Sequence, residues 1–401
     1  MPDPSAKSDS RQPANDSDPR SNTGGASGLG GVGLSASAVT ASGTSSRLGS
    51  GAGGRQTFAA DELAIVLSHY DLGTIDAIQE YPRGSRKAPK LVIRSENGLY
   101  LLKRRAHGKD HAFKVAFCHG IQLHLAERQF PLPHLIGTRQ DNNSMLQLND
   151  QIYELFEYIK GTPYDMSLEA TQDSGKILGL MHKLLKDYQH KYDPPTGSYH
   201  HNQSVYNAFK LLPTTMARTN PNRDPEDAQK LNKINRFLQA AYEYAVEQVE
   251  EAGIKDWPGQ IVHSDWHPGN MLFRGNRVVA VIDYDASRIH PRIIDAANGA
   301  LQFSIIGGGE DPRTWPEYID ESRFKRFMRG YDTVPDNVLS RAEIKTVPWL
   351  MIQALIAEAV IPIASTGKFA RMDGGVFLEM VQKKVVWLQD HADALVQAAE
   401  G

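Results

Sequence analysis

The sequence predicts an α+β chain of two lobes, a small, mostly β first lobe and a larger, mostly α second lobe. Three observations lead there. About 344 of the 401 residues, those from Phe58 onward, carry a globular pattern, which exceeds the ~250 to 300 at which a single core usually stops growing. Up to residue 159 the chain reads as short strands punctuated by turn residues. Beyond Lys160-Gly161-Thr162-Pro163 the apolar residues recur at helical spacing.

Residues 1–57 contain no Phe, Trp or Tyr and are crowded with Ser, Gly, Ala and Asp. Such a stretch buries too little apolar area to offset its ordering entropy, so it is expected to be a disordered tail. It holds two decoys. Gly28, Gly30 and Gly33 match G-x-G-x-x-G without the strand before and helix after that a dinucleotide fingerprint needs. Gly49 to Gln56 mimics a phosphate loop but places Arg55 and Gln56 where Lys and Ser or Thr would hold phosphate and magnesium.

The first lobe, residues 58–159, opens with a hairpin signal. Leu91–Arg94 and Leu99–Arg104 flank Ser95-Glu96-Asn97-Gly98, where Asn-Gly supplies the positive φ of a tight turn. Phe113, Phe117, Ile121 and Leu125 recur every fourth residue on a following helix that ends before Pro131 and Pro133. A strand over Gln151–Tyr158 then leads into the linker. In the second lobe, residues 160–401, Leu178, Met181 and Leu185 mark one helix. Asp224-Pro225-Glu226 opens another, running to Gly253. Val347–Ser365 is the most apolar stretch; Pro348, Gln353, Glu358 and Pro362 interrupt it, and it reads as a buried helix rather than a membrane span.

Composition excludes several classes. Lys plus Arg is 44 against 47 Asp plus Glu, a net charge of −3, so no global basic field exists to hold nucleic acid. The single cysteine, Cys118, forms neither an internal disulfide nor a Cys-based zinc site. The N-terminal region lacks a signal-peptide apolar run and carries Asp3, Asp9, Asp16 and Asp18, and a cytoplasmic location is the expectation. No membrane partner is indicated, and the oligomeric state is not readable.

The chemistry concentrates between Gln260 and Asp295. Ile261-Val262-His263-Ser264-Asp265-Trp266-His267-Pro268-Gly269-Asn270 reads as an apolar strand end followed by a polar loop. A second hairpin, Met271–Phe273 and Arg277–Ile282, brings Asn270 and Asp283 to neighbouring places at its open end. One amide and one carboxylate with coordination positions to spare suit a Mg²⁺ that also binds phosphates. Asp265, five residues before Asn270, can face the same centre.

This H-x-D-x-x-x-x-N element, followed by a strand ending in Asp, resembles the aminoglycoside phosphotransferase and choline kinase family, which includes homoserine kinases and has a protein-kinase-like fold. The resemblance covers about Phe58 to Val396. It implies an ATP- and Mg²⁺-dependent phosphotransferase acting on a hydroxyl of a small molecule such as an amino alcohol, a sugar or an aminoglycoside. Asp265 would then take or orient the proton of the attacking hydroxyl while Asn270 and Asp283 hold magnesium. His263 would anchor the loop, and Asp295 would hydrogen-bond its backbone. Lys103, a lysine on an apolar strand face, would contact the nucleotide phosphates, and backbone groups of Glu157 and Ile159 would meet adenine. Tyr81 to Arg86 sits where a nucleotide-covering loop belongs, with one glycine rather than three.

Several residues carry two readings. Asp285 either shares a strand-end face with Asp283 and binds the acceptor or is an exposed turn residue. Glu358 either faces the acceptor as a carboxylate selecting a cation or is paired within the fold. His182, on the helix of Leu178, reads as a satisfied interior histidine. The helix after Lys103 offers His119 and Gln122 where the family often has a Glu. Either a neutral partner positions Lys103, or the chain is a nucleotide-binding pseudokinase acting as an interaction module.

Overall fold

The computed structural model describes residues 55–195, 197–307 and 311–401. Most of the expected tail, including both decoys up to residue 54, lies outside the described residues. Residues 55–57, the end of the expected tail, are described. Arg55 donates to the carbonyls of Pro82 (2.5 Å) and Ser85 (3.2 Å), and the Gln56 amide donates to Arg86, so this segment ties down the loop over 81–86.

The first lobe begins with α1 (Ala60–Ser68), followed by β1 (Ile75–Glu80), β2 (Lys90–Ser95) and β3 (Gly98–Arg104), then α2 (Ala112–Glu127), β4 (Leu146–Leu148) and β5 (Gln151–Glu157). The strands form one antiparallel sheet in the order β1-β2-β3-β5-β4. Alternation along β2 and β3 puts Leu91, Ile93 and Leu102 into a core with Val66, Tyr153 and Leu155. The β2–β3 hairpin closes at Ser95 and Gly98, and the positive φ falls on Gly98 (149°) rather than Asn97. On α2, Phe117, Ile121 and Leu125 are buried as the spacing predicts, but Phe113 is 66% exposed, because α2 starts beyond the packed face.

The second lobe contains α3 (Leu168–Leu185), α4 (Gln203–Thr219), α5 (Pro225–Glu251), the short strands β6 (Gly259–Val262), β7 (Met271–Arg274), β8 (Arg277–Val281) and β9 (Arg288–Pro291), then α6 (Ile293–Ser304), α7 (Glu321–Asp332) and α8 (Arg341–Thr366). A two-stranded turn, β10 (Lys368–Phe369) with β11 (Met372–Asp373), leads into α9 (Gly374–Asp390) and α10 (Ala392–Glu400). Asp224 caps α5, accepting from the Glu226 amide ahead of Pro225. Helices α3 and α7 cross at Gly175 and Gly330, where a Cβ on either would collide with the other helix's backbone. α6 is buried along its whole length, and Gly299 lets it sit against Trp266 and Phe327. α8 is long and apolar enough to cross a bilayer, yet 78% of its apolar window is buried in this lobe. Pro348 and Pro362 lie inside it without ending it, their lost hydrogen bonds outweighed by tight packing on both sides.

Candidate active site

The loop of residues 263–270 leaves β6, which pairs with β9, and returns through one 3₁₀ turn over Pro268–Asn270 into β7. What shapes it is Asp295 on the buried helix α6. Its carboxylate accepts the backbone amides of His263 (2.6 Å) and Ser264 (2.7 Å) and faces His182 Nε2 at 3.3 Å. Burial alone would raise the Asp295 pKa; these donors hold it below the usual carboxylate value. Ser264 is pinned at φ 63°, a left-handed conformation serine rarely adopts. His263 is fully buried, donates from Nε2 to the Ile282 carbonyl (3.2 Å) and packs edge-on against Trp266. His182 also bonds the Tyr331 hydroxyl at 2.7 Å inside the core.

Asp265 projects from this braced loop. Asn270 Nδ2 donates to the Oδ2 (2.9 Å) and to the backbone carbonyl (3.0 Å) of Asp265, which commits the amide nitrogen and turns Asn270 Oδ1 outward. His267 takes the Gly269 amide on Nδ1 (3.0 Å), so its Nε2 carries a proton 3.6 Å from Asp265 Oδ1. Burial opposes charging His267, but the Asp265 carboxylate beside it holds its pKa above the usual histidine value. The β7–β8 hairpin pairs Met271 with Val281, and the Ile282 amide bonds the Asn270 carbonyl at 2.9 Å. The next residue, Asp283, is exposed in a left-handed conformation (φ 66°). The hairpin thus brings the backbones of Asn270 and Asp283 together at its open end.

Across from this loop the first lobe presents cations. Lys103 stands opposite Glu154 on β5, with Nζ 3.3 Å from its Oε2 and 3.9 Å from Asp285 Oδ2. Arg105, two residues on, bridges Glu154 Oε1 (2.9 Å) and Asp285 Oδ1 (2.6 Å). His119 Nε2 meets the same Glu154 oxygen at 2.7 Å. Burial would depress Lys103, but the charges of Asp285 and Glu154 hold its pKa above the ordinary lysine value. Lys90, the cross-strand neighbour of Lys103, is lowered by burial and by that like charge. Lys103 therefore has a carboxylate partner after all, supplied by β5 rather than by the helix. This removes the observation that favoured a pseudokinase.

Asp285, Glu157 and Glu358 each have partners that the sequence did not show. Asp285 points at Arg105 and Lys103 of the first lobe, so it is a paired carboxylate rather than a free turn residue. The Glu157 amide donates to the His134 carbonyl (2.8 Å), which narrows its contribution to a purine edge to the carbonyl; Ile159 follows directly. Glu358 on α8 is partly buried and accepts both contacts from Gln302 Nε2 (2.7 and 2.8 Å). Among the described residues no Lys, Arg or His makes an ion pair with it. Burial, reinforced by the negative charge of Asp265, pushes its pKa up to about 7.

Sequence reasoning missed Glu154, Arg105, Lys90, Gln302 and the contact of His267 with Asp265. The signals were modest: an acid in the apolar run Ile152-Tyr153-Glu154-Leu155-Phe156, and the two-residue spacing of Lys103 and Arg105. The fold and the loop define a protein-kinase-like phosphotransferase architecture. An amicoumacin kinase in complex with AMP-PNP, Ca²⁺ and Ami superposes with a TM-score of 0.57 at 14% identity, over 81% of this chain and 93% of that one. The chain belongs to the phosphotransferase enzyme family APH, whose model matches residues 78–337. It is 23% identical over 302 residues to the homoserine kinase of Granulibacter bethesdensis, covering 72% of this chain and 81% of that protein. It is also 23% identical over 229 residues to that of Zymomonas mobilis subsp. mobilis, covering 56% of this chain and 64% of the relative.

Proposed function

We propose that the chain transfers the γ-phosphoryl group of ATP to a hydroxyl of a small, amine-bearing molecule. The observation that carries this reading is the bracing of Asp265: one carboxylate oxygen is held by Asn270 and the other faces the Nε2 proton of His267. A base held by Asn270 on one oxygen and faced by His267 across 3.6 Å on the other can receive a hydroxyl proton without first reorienting.

The donor set fits a hard cation, because Asn270 presents only oxygen outward and Asp283 adds an exposed carboxylate. Mg²⁺ bound there would supply positive charge to the β- and γ-phosphates. Lys103, with Lys90 and Arg105 around it, neutralises phosphate charge from the other side. The carbonyl of Glu157 and the backbone of Ile159 receive the base. Asp265 takes the proton of the acceptor hydroxyl as that oxygen attacks.

Glu358 and Gln302 give the acceptor side its chemistry. A carboxylate that makes no ion pair among the described residues, close enough to Asp265 and His267 to feel their charge, favours an ammonium group on the acceptor. The homoserine kinase relatives fit such an acceptor. ADP release with Mg-ATP and a panel of amino alcohols, homoserine, sugars and aminoglycosides tests the reading. ADP release is expected to depend on one amine-bearing hydroxyl compound; release independent of every added hydroxyl compound overturns it.

A further inference from the structure

We infer that Glu154 is a positioning residue of the nucleotide site, holding Lys103 from the sheet and, through Arg105, the segment that carries Asp283. The inference rests on the nucleotide reading of Lys103 given above. It departs from the expectation that α2 supplies Lys103 with its partner.

The side chain of Glu154 is 1% exposed and sits in mid-strand between Tyr153 and Leu155, both buried in the small core. An acid there is costly unless its charge is matched. Its Oε1 accepts from Arg105 at 2.9 Å and faces His119 Nε2 at 2.7 Å. His119 is itself oriented by Ser144 Oγ, 2.8 Å from Nδ1. The other oxygen, Oε2, makes no hydrogen bond within the described residues and has Lys103 Nζ at 3.3 Å. One oxygen is thus fully engaged by Arg105 and His119, and the other points at the lysine.

Lys103 lies between two carboxylates, Glu154 at 3.3 Å and Asp285 at 3.9 Å. The two differ in what they are attached to. Glu154 is the cross-strand neighbour of Lys103 in the same sheet, so it keeps that distance whatever the two lobes do. Asp285 belongs to the second lobe, two residues after Asp283. Without Glu154, the lysine's remaining anion lies across the cleft, and the ammonium is drawn away from its sheet-held position. Glu154 also lies three residues before Glu157 on the same strand, so one rigid element fixes both the adenine edge and the phosphate lysine. Arg105 extends this control, because the guanidinium held by Glu154 also grips Asp285 at 2.6 Å.

The test compares Glu154→Gln, Glu154→Asp and Lys103→Ala in the full chain. Mg-ATP affinity is read by calorimetry per folded molecule, with melting temperature and the Michaelis constants for ATP and acceptor measured in parallel. Glu154→Asp keeps the negative charge in the buried cluster but draws the carboxylate back from Lys103 and Arg105 alike, so it separates the placement of the charge from its mere presence. Both Glu154 variants are expected to weaken ATP binding by roughly tenfold or more while the acceptor's Michaelis constant stays put. If Lys103→Ala weakens ATP binding and neither Glu154 variant does, the role of Glu154 is overturned and the nucleotide reading stands. If Lys103→Ala leaves ATP binding unchanged, the nucleotide reading itself falls.

Discussion

Neutralising Glu358 should stabilise the unliganded protein at alkaline pH while weakening acceptor binding. The carboxyl titrates near 7 in the fold against an ordinary 4.5, raised by burial and by Asp265. A raised folded-state pKa gives stability that is fully present below 4.5 and lost as pH rises through 7. The 2.5-unit difference corresponds to at most about 3.5 kcal/mol, less where solvent reaches the partly buried group. Glu358→Gln escapes that cost and can still pair with Gln302. Its melting temperature should therefore match the wild type near pH 5 and exceed it at pH 8, as scanning calorimetry would show. An ammonium at ~4 Å from the ionised carboxylate is worth about 4 kcal/mol at the effective dielectric of a cleft. Part of that is returned in desolvation, so the variant's acceptor Michaelis constant should rise roughly 10- to 100-fold at pH 8. In the wild type that constant should fall as pH rises through 7, and in the variant it should be flat. A variant less stable than wild type at pH 8, with unchanged acceptor kinetics, would refute the assignment and make Glu358 a structural residue.

Asp265→Ala should lower phosphoryl transfer by ~10²-fold or more with Mg-ATP affinity nearly intact, measured by steady-state kinetics beside calorimetry. Asn270→Ala and Asp283→Ala should each weaken nucleotide binding in magnesium and leave the magnesium-free affinity unchanged, because each removes an oxygen ligand. Asp295→Asn should destabilise the protein by about 3 kcal/mol, since an amide cannot accept from both the His263 and Ser264 backbone groups as a carboxylate does. Chemical denaturation checks this; an unchanged midpoint would mean that Asp295 does not hold the loop.

Most of the scaffold was legible because it rests on local pattern. The Asn97-Gly98 turn signal marked the Leu91–Arg104 hairpin, four-residue spacing marked α2, and Asp224-Pro225 announced α5. The loop of residues 263–270 was legible because its acid, amide and following hairpin are close in sequence. What could not be read was long-range pairing. Glu154 meets His119, 35 residues earlier in the chain, and Arg105 meets Asp285, 180 residues later. No periodicity encodes such contacts, so the sequence left Asp285 open between an acceptor role and an exposed turn and did not reveal its pairing with Arg105 and Lys103. The contact of Arg55 was hidden for a similar reason: it lies in a Gly-rich stretch, yet its guanidinium reaches carbonyls near residue 82.

The most direct test of the central claim follows the label from γ-labelled ATP in magnesium, with the wild type and Asp265→Asn each given homoserine, amino alcohols, choline, sugars and aminoglycosides. Label should appear as a phosphate ester on one amine-bearing alcohol with the wild type and be reduced at least ~10²-fold in the variant, both proteins binding Mg-ATP alike. Mg-ATP bound by the wild type with no label on any hydroxyl, or undiminished transfer by the variant, would contradict it.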